Sequence, residues 1–219
     1  MTYFRFLVII LCLHYSVLSF SKESTDKKSV LSALQLNLFK SAIKEGNRAK
    51  WAKSIKYLKK INNSDAKKII EWRWLISNDG IVSQKKLKEF LALNRDWPRT
   101  KNIQKKIETK IDVNNFKKEM LWFQQNPPIS GLGKIKLAEV LLKNDFSNEA
   151  EWLFKNTWIN YNFNYSEEKY IIKNYGKYLN KKNHALRLER LIWYRSWSSA
   201  NRQLKRVNKD ILLLSKAKI

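Results

Sequence analysis

From Ser29 to the C-terminus, apolar residues recur every three or four positions in blocks of about three helical turns, and polar breaks separate the blocks. That rhythm restricts the chain to short amphipathic helices. Leu31, Leu34, Leu38, Phe39 and Ala42 form the first stripe, which stops at Glu45-Gly46; Trp51, Ile55 and Leu58 form the second, ending at Asn62-Asn63. Ser64 is placed to cap a third helix, with Asp65 favourable in its first turn. This helix carries Ile69, Ile70, Trp72, Trp74 and Leu75 on more than one side, as a helix sandwiched between neighbours does. Leu87, Phe90 and Leu91 follow a Ser83 cap, then Ile103, Ile107 and Ile111, then Phe116, Met120 and Phe123. Asn126-Pro127-Pro128 ends that last stripe, because proline cannot continue the hydrogen-bond ladder. Gly131 and Gly133 open a helix with Ile135, Ala138, Leu141 and Leu142. Ala150, Leu153 and Phe154 come next, and Ile171, Tyr175 and Tyr178 after Ser166. The last stripes are Ala185, Leu188 and Ile192, then Trp197, Ala200, Leu204 and Val207.

No segment sustains a period of two, and five Gly with three Pro are few for the many turns of an all-β fold. The expected fold is all-α: roughly a dozen short helices in antiparallel hairpins, stacked as an α-solenoid or superhelix. Gly46-Asn47-Arg48-Ala49-Lys50-Trp51-Ala52 and Trp197-Ser198-Ser199-Ala200 both set a Trp and a small residue at a helix start. Small residues let helices approach closely, as a repeat requires.

Met1 to Ser21 has the plan of a secretory signal peptide: Arg5, an apolar run from Phe6 to Leu13, and the small residues Ser19 and Ser21 just before a cleavage site. The run is shorter than the roughly 20 apolar residues of a spanning helix, so no stable membrane insertion is expected after cleavage. The expected organisation is a leader at 1–21, a polar linker at 22–28 and a helical domain at 29–219, in an exported protein. The single cysteine, Cys12, lies in the leader behind Leu11 and not behind the small residue of a lipidation site. The mature chain is therefore expected to have no disulfide, zinc site or thiol nucleophile.

The net charge is +25. It fits attraction to a polyanion such as nucleic acid, an anionic membrane or peptidoglycan, and it equally fits a Lys-, Asn- and Ile-rich codon bias. Catalytic chemistry has little to work with. His184 is the only histidine after the leader and reads as structural or surface. Gly131-Leu132-Gly133-Lys134 lacks the preceding strand and the spacing of a phosphate loop. Glu167 and Glu168 read as first-turn carboxylates that favour the helix dipole. No catalytic, cofactor or metal residue is nominated. Most of the nine Trp residues read as core, since each buries a large area. Trp97 beside Pro98, and Trp193 and Trp197 beside Arg195, are the exceptions that suit sugar stacking; with Arg202 they form the candidate substrate-binding set.

The segment Asn183-His184-Ala185-Leu186-Arg187-Leu188-Glu189-Arg190-Leu191-Ile192-Trp193-Tyr194-Arg195-Ser196-Trp197-Ser198-Ser199-Ala200, followed by Arg202, Leu204 and Val207, resembles a stretch of the soluble lytic murein transglycosylases. In their superhelical domain a His-Ala-x-Arg-Leu-x-Arg-Leu-x-Trp run precedes Trp-x-x-Ala-x-Arg-x-Leu. Glu71-Trp72-Arg73-Trp74-Leu75, Asn94-Arg95-Asp96-Trp97-Pro98, Lys155-Asn156-Thr157-Trp158 and Tyr175-Gly176-Lys177-Tyr178-Leu179 extend the likeness from about Trp51 to the C-terminus. The resemblance implies a periplasmic family that cleaves peptidoglycan to 1,6-anhydro products with one Glu as acid and base, in a lysozyme-like domain behind the superhelix. That domain carries a Glu-Ser pair followed by a Gly-Leu-Met-Gln-type segment. The only Glu-Ser here is Glu23-Ser24, outside such a context. The expectation is a peptidoglycan-associated superhelical domain that is non-catalytic alone, with peptidoglycan or a separately encoded catalytic domain as partner. The alternatives are a protein-interaction scaffold of the cell envelope and, against the export signal, a nucleic-acid binder.

Overall fold

The computed structural model describes residues 31–218; the expected leader (1–21) and linker (22–28) lie outside the described residues. These residues form an all-helical fold of twelve α-helices. They are α1 (Ala33–Asn47), α2 (Trp51–Lys60), α3 (Ser64–Ile76), α4 (Gln84–Leu93), α5 (Thr100–Thr109) and α6 (Phe116–Gln125). The second half holds α7 (Gly131–Lys143), α8 (Ser147–Asn160), α9 (Tyr165–Tyr175), α10 (Lys181–Trp193), α11 (Trp197–Gln203) and α12 (Lys209–Lys216). Three single 3-10 turns fall between them, and no strand is present among the described residues.

The asparagines and serines set the helix starts. Ser32, Asn63, Ser83, Ser130, Asn164, Asn180 and Asn208 each accept a hydrogen bond from the backbone N–H three residues on, satisfying an otherwise orphaned donor. One sequence expectation shifts here: Asn63, not Ser64, caps α3, because Asn63 holds the extended backbone that a cap requires. Asn164 caps α9 in the same way, with Ser166 inside the helix.

Three hairpins share one turn. In α1–α2, α7–α8 and α10–α11 a non-glycine sits in the left-handed region: Ala49 (φ 57), Asp145 (φ 65) and Arg195 (φ 53). The next N–H returns to the preceding helix, from Lys50 to the Glu45 carbonyl, Phe146 to Leu141 and Ser196 to Leu191. This is the Schellman pattern, which satisfies carbonyls left over at the helix end. Each hairpin also buries a small residue early in its second helix, Ser54, Ala150 or Ala200, and a partner in its first, Ala42, Ala138 or Leu188. All six are fully buried. In the first hairpin the pair touches directly: the Ser54 hydroxyl donates to the Ala42 carbonyl at 2.8 Å. The repetition visible in the sequence at α2 and α11 therefore extends to α7–α8.

Packing stays local in the chain. α1 meets α2 and α3, α3 meets α5, α5 meets α4 and α7, α7 meets α6 and α8, α8 meets α10, and α10 meets α11 and α12. The core accordingly divides into four clusters in sequence order. They centre on Ile61 and Ile70, on Leu87, Ile103 and Ile107, on Phe154, Trp158 and Ile171, and on Leu188 and Leu191. Three stripe residues are not core: Leu34, Ile69 and Trp197 are exposed.

Candidate functional site

The C-terminal hairpin α10–α11 is built around a buried ion-pair network. Arg187 of α10 is fully buried, and its guanidinium lies 4.2 Å above the Trp158 ring. It donates to the Trp158 carbonyl, to the Tyr161 carbonyl at 2.7 Å and to Glu168 Oε1 at 3.1 Å. Arg202 of α11 reaches the other oxygen of the same carboxylate, Nε to Glu168 Oε2 at 2.7 Å. Burial pulls the Arg187 guanidinium down to about 10, against the pull of Glu168, which still leaves it charged at neutral pH. The hydrogen bond to Glu168 raises Arg202. Glu168 thus lies in the first helical turn, as expected from the sequence, but it also serves two arginines. It is 1 % exposed, because the first turn of α9 faces two arginines that neutralise it. Glu167 keeps the expected role, closing a capping box with Asn164.

His184 belongs to the same network. Its Nδ1 faces two donors, Trp158 Nε1 at 3.3 Å and Gln203 Nε2 at 3.1 Å, which places the ring proton on Nε2. Burial, then Arg206 and Arg187, push it down to about 4. The sign follows from linkage. An unfolded chain protonates this ring near 6.5 whereas the folded one resists until about 4, so stability falls as pH drops through that window. Urea titrations from pH 7 to pH 4 are expected to show this slope, and His184→Asn, which keeps an acceptor without a titrating ring, is expected to flatten it. An equal slope in both proteins would refute the assignment.

Three further carboxylates are buried. Glu119 pairs with Lys88 at 2.7 Å, and Glu139 with Lys136 at 2.8 Å and with the Tyr170 hydroxyl at 2.7 Å. Burial and Glu139 push that phenol up to about 12, so it stays a donor. Glu108 pairs with no cation among the described residues. It accepts from Ile129 N–H at 2.8 Å, Ser130 N–H at 3.0 Å and the Ser130 hydroxyl, at the N-terminus of α7. A helix N-terminus favours an anion, and here the protein supplies its own. Gly131-Leu132-Gly133-Lys134 is therefore the first turn of α7, whose N-terminus is already occupied by a carboxylate. Among the described residues no group of three or more His, Cys, Asp or Glu is placed to hold a metal ion.

Chemistry that faces solvent gathers at the α10–α11 turn. Trp193 is 81 % exposed, Tyr194 66 % and Trp197 39 %, and Arg195 projects from the left-handed position between them. Arg190 lies 5.9 Å over the Tyr194 ring and donates to Asn162 Oδ1 at 2.7 Å. Of the five candidates from the sequence, three come together here: Trp193, Arg195 and Trp197. Arg202 instead turns inward to Glu168. Trp97 packs edge-on against Trp72 (6.0 Å) and Phe90 (5.8 Å) in a different core cluster.

Sequence reasoning passed over Tyr194 and Trp152, both exposed. For Trp152 the signal was present, because the buried stripe Ala150, Leu153, Phe154, Thr157, Trp158 skips that position.

Beside the turn runs an apolar groove of about 500 Å³ between α10 and α12. Ala185, Leu186, Ile192 and Trp193 line one wall, and Ile211 and Leu214 the other. No helix among the described residues is long and apolar enough to cross a membrane. Comparison with known proteins returned no match: no family model, no curated protein and no solved structure matches the chain.

Proposed function

We propose that this chain is a periplasmic α-solenoid of the kind that forms the superhelical part of soluble lytic transglycosylases, and that it holds peptidoglycan without cleaving it. The observation that carries the reading is the exposed Trp193-Tyr194-Arg195-Trp197 turn, set on a buried Arg187–Glu168–Arg202 network. Aromatic faces stack on sugar rings, and Arg195 suits the carboxylates of a glycan strand or its peptides. Recognition groups on a rigid base lose less entropy on binding. The segment that carries the family resemblance also carries both arginines of this network. The net charge of +25 favours approach to an anionic polymer. The buried glutamates are spent on internal partners and do not stand ready as an acid–base pair.

Sedimentation of the chain from Lys22 onward with purified peptidoglycan across a salt series, with muropeptide analysis of the supernatant, tests this. Binding that weakens with salt and releases no anhydro-muropeptides is expected. The Trp193→Ala/Trp197→Ala variant is expected to bind about tenfold more weakly, the loss of one or two stacked rings. Release of anhydro products would overturn the non-catalytic reading, and unchanged binding by the double variant would move the site away from this turn.

The α10–α12 groove favours a second reading, a scaffold for another envelope protein or a separately encoded catalytic domain. Ile211, Leu214, Ser215 and Lys218 fall at the spacing that one helix face presents to a docked helix. In that case Leu214→Glu removes co-purification with the partner and leaves peptidoglycan sedimentation unchanged.

A further inference from the structure

A second concavity, about 410 Å³, lies where the α1–α2 turn meets the C-terminal end of α3 and the loop entering α5. Asn47, Trp51, Trp72, Arg73, Asp79 and Arg99 line it. We propose that it binds a sugar acid, a pyranose ring bearing one carboxylate. The site stands apart from the α10–α11 turn, so its failure would leave that reading untouched.

Arg99 is the most telling residue. Its φ of 60 places it in the left-handed region, one of four non-glycines there among the described residues. The other three serve the recurring hairpin turn, whereas Arg99 precedes α5 without capping it by its side chain. Glycine would hold that backbone without strain. A strained backbone that carries a long cation into a cavity is a feature of ligand sites.

The two arginines of the cavity have no carboxylate partner among the described residues. Arg99 meets only the Asn102 amide oxygen, at 3.1 Å from Nη2 with that amide turned to accept. Arg73 donates to Asn47 Oδ1, and neither arginine makes an ion pair. Two planar guanidiniums suit one carboxylate. Asp79, the only acid in the lining, would repel a doubly charged phosphate but accepts from hydroxyl groups. The lining therefore favours a single negative charge on a hydroxyl-rich body.

The indoles supply the apolar walls. Trp72 is fixed by its Nε1 hydrogen bond to the Pro98 carbonyl at 2.7 Å. The Trp51 ring lies against Gly46, where an added Cβ would come within 2.9 Å of it, and Trp51 Nε1 is buried without a hydrogen-bond partner. Ser77 and Asn78 complete the polar rim. The volume falls within the roughly 300–1,000 Å³ of small-molecule sites.

Calorimetric titration of the chain with glucuronate, N-acetylmuramate, N-acetylglucosamine, acetate and inorganic phosphate tests the proposal. Both sugar acids are expected to bind, with the neutral sugar, acetate and phosphate at least about tenfold weaker, the loss of a charge-assisted pair or of the ring contacts. Arg73→Gln and Arg99→Gly are each expected to lose about tenfold in affinity. Arg99→Gly relieves the backbone, so its melting temperature is expected to hold or rise while binding falls. Full affinity in Arg99→Gly or Arg73→Gln, equal binding of acetate or phosphate, or no binding by the parent chain would each overturn the site. A lower melting temperature in Arg99→Gly would show that the left-handed arginine is retained for folding, and would overturn it as well.

Discussion

Glu168→Ala is expected to cost about 3–5 kcal/mol of folding free energy, the range for breaking a buried ion pair from one side. The physical reason is what stays behind. Arg187 is fully buried and charged, and without Glu168 its guanidinium would keep backbone carbonyls and the Trp158 and Phe163 faces but no counter-charge. Arg202 would lose the same partner but sits nearer solvent and can be rehydrated. Most of the loss should therefore trace to Arg187. The corresponding double variant, Glu168→Leu with Arg187→Met, removes the stranded charge and is expected to be more stable than Glu168→Ala. Denaturant unfolding followed by circular dichroism measures both. A loss below about 1 kcal/mol in Glu168→Ala would mean that the pair is hydrated and not buried.

Gly133→Ala is expected to destabilise by about 2–4 kcal/mol, although the same change in an ordinary helix stabilises by up to about 1 kcal/mol. The inversion comes from one contact. A Cβ at Gly133 would lie 2.3 Å from Glu108 Oε2, with the rest of that carboxylate as close behind. Glu108 would have to withdraw from the α7 N-terminus and give up its bonds to the Ile129 and Ser130 N–H groups. Combining Gly133→Ala with Glu108→Ala removes the clash, so the two losses should be strongly non-additive. Thermal melts of the four proteins of this cycle decide the matter, and a stabilised Gly133→Ala would show that Glu108 does not hold the helix start.

How much of this was legible beforehand depends on which force acts. The helices were legible because burial imprints a three-to-four residue period, as at Leu87, Phe90 and Leu91. Their starts were legible only to within a residue or two, because Asn and Ser compete for the same cap, as Asn63 and Ser64 do. The recurring turn was half visible. Its small buried residues left a trace in the sequence, whereas its left-handed residue is Ala, Asp or Arg and leaves none. The buried charges could not be read, since Glu168 and Glu167 are identical in sequence and differ only in which way α9 turns them. Among the candidates, Trp193 and Trp197 were found by adjacency to Arg195. Arg202 was placed in the same set for its charge, which the structure spends on Glu168. The Arg73–Arg99 cavity joins residues from α3 and the loop before α5, a juxtaposition that helical periodicity does not encode.

The short reach of the helix contacts has a kinetic consequence. Among the described residues the side-chain hydrogen bonds span at most 39 positions, from Arg202 to Phe163. Such a chain closes only small loops while folding, which favours rapid formation and allows nucleation at more than one hairpin. It also weakens all-or-none behaviour, since each cluster can open while its neighbours persist. Hydrogen exchange should then be graded along the chain. Glu168→Ala would accelerate exchange in α8 to α11 and leave the amides of α1 to α3 protected, so one melting temperature would average over segments that part company at different times.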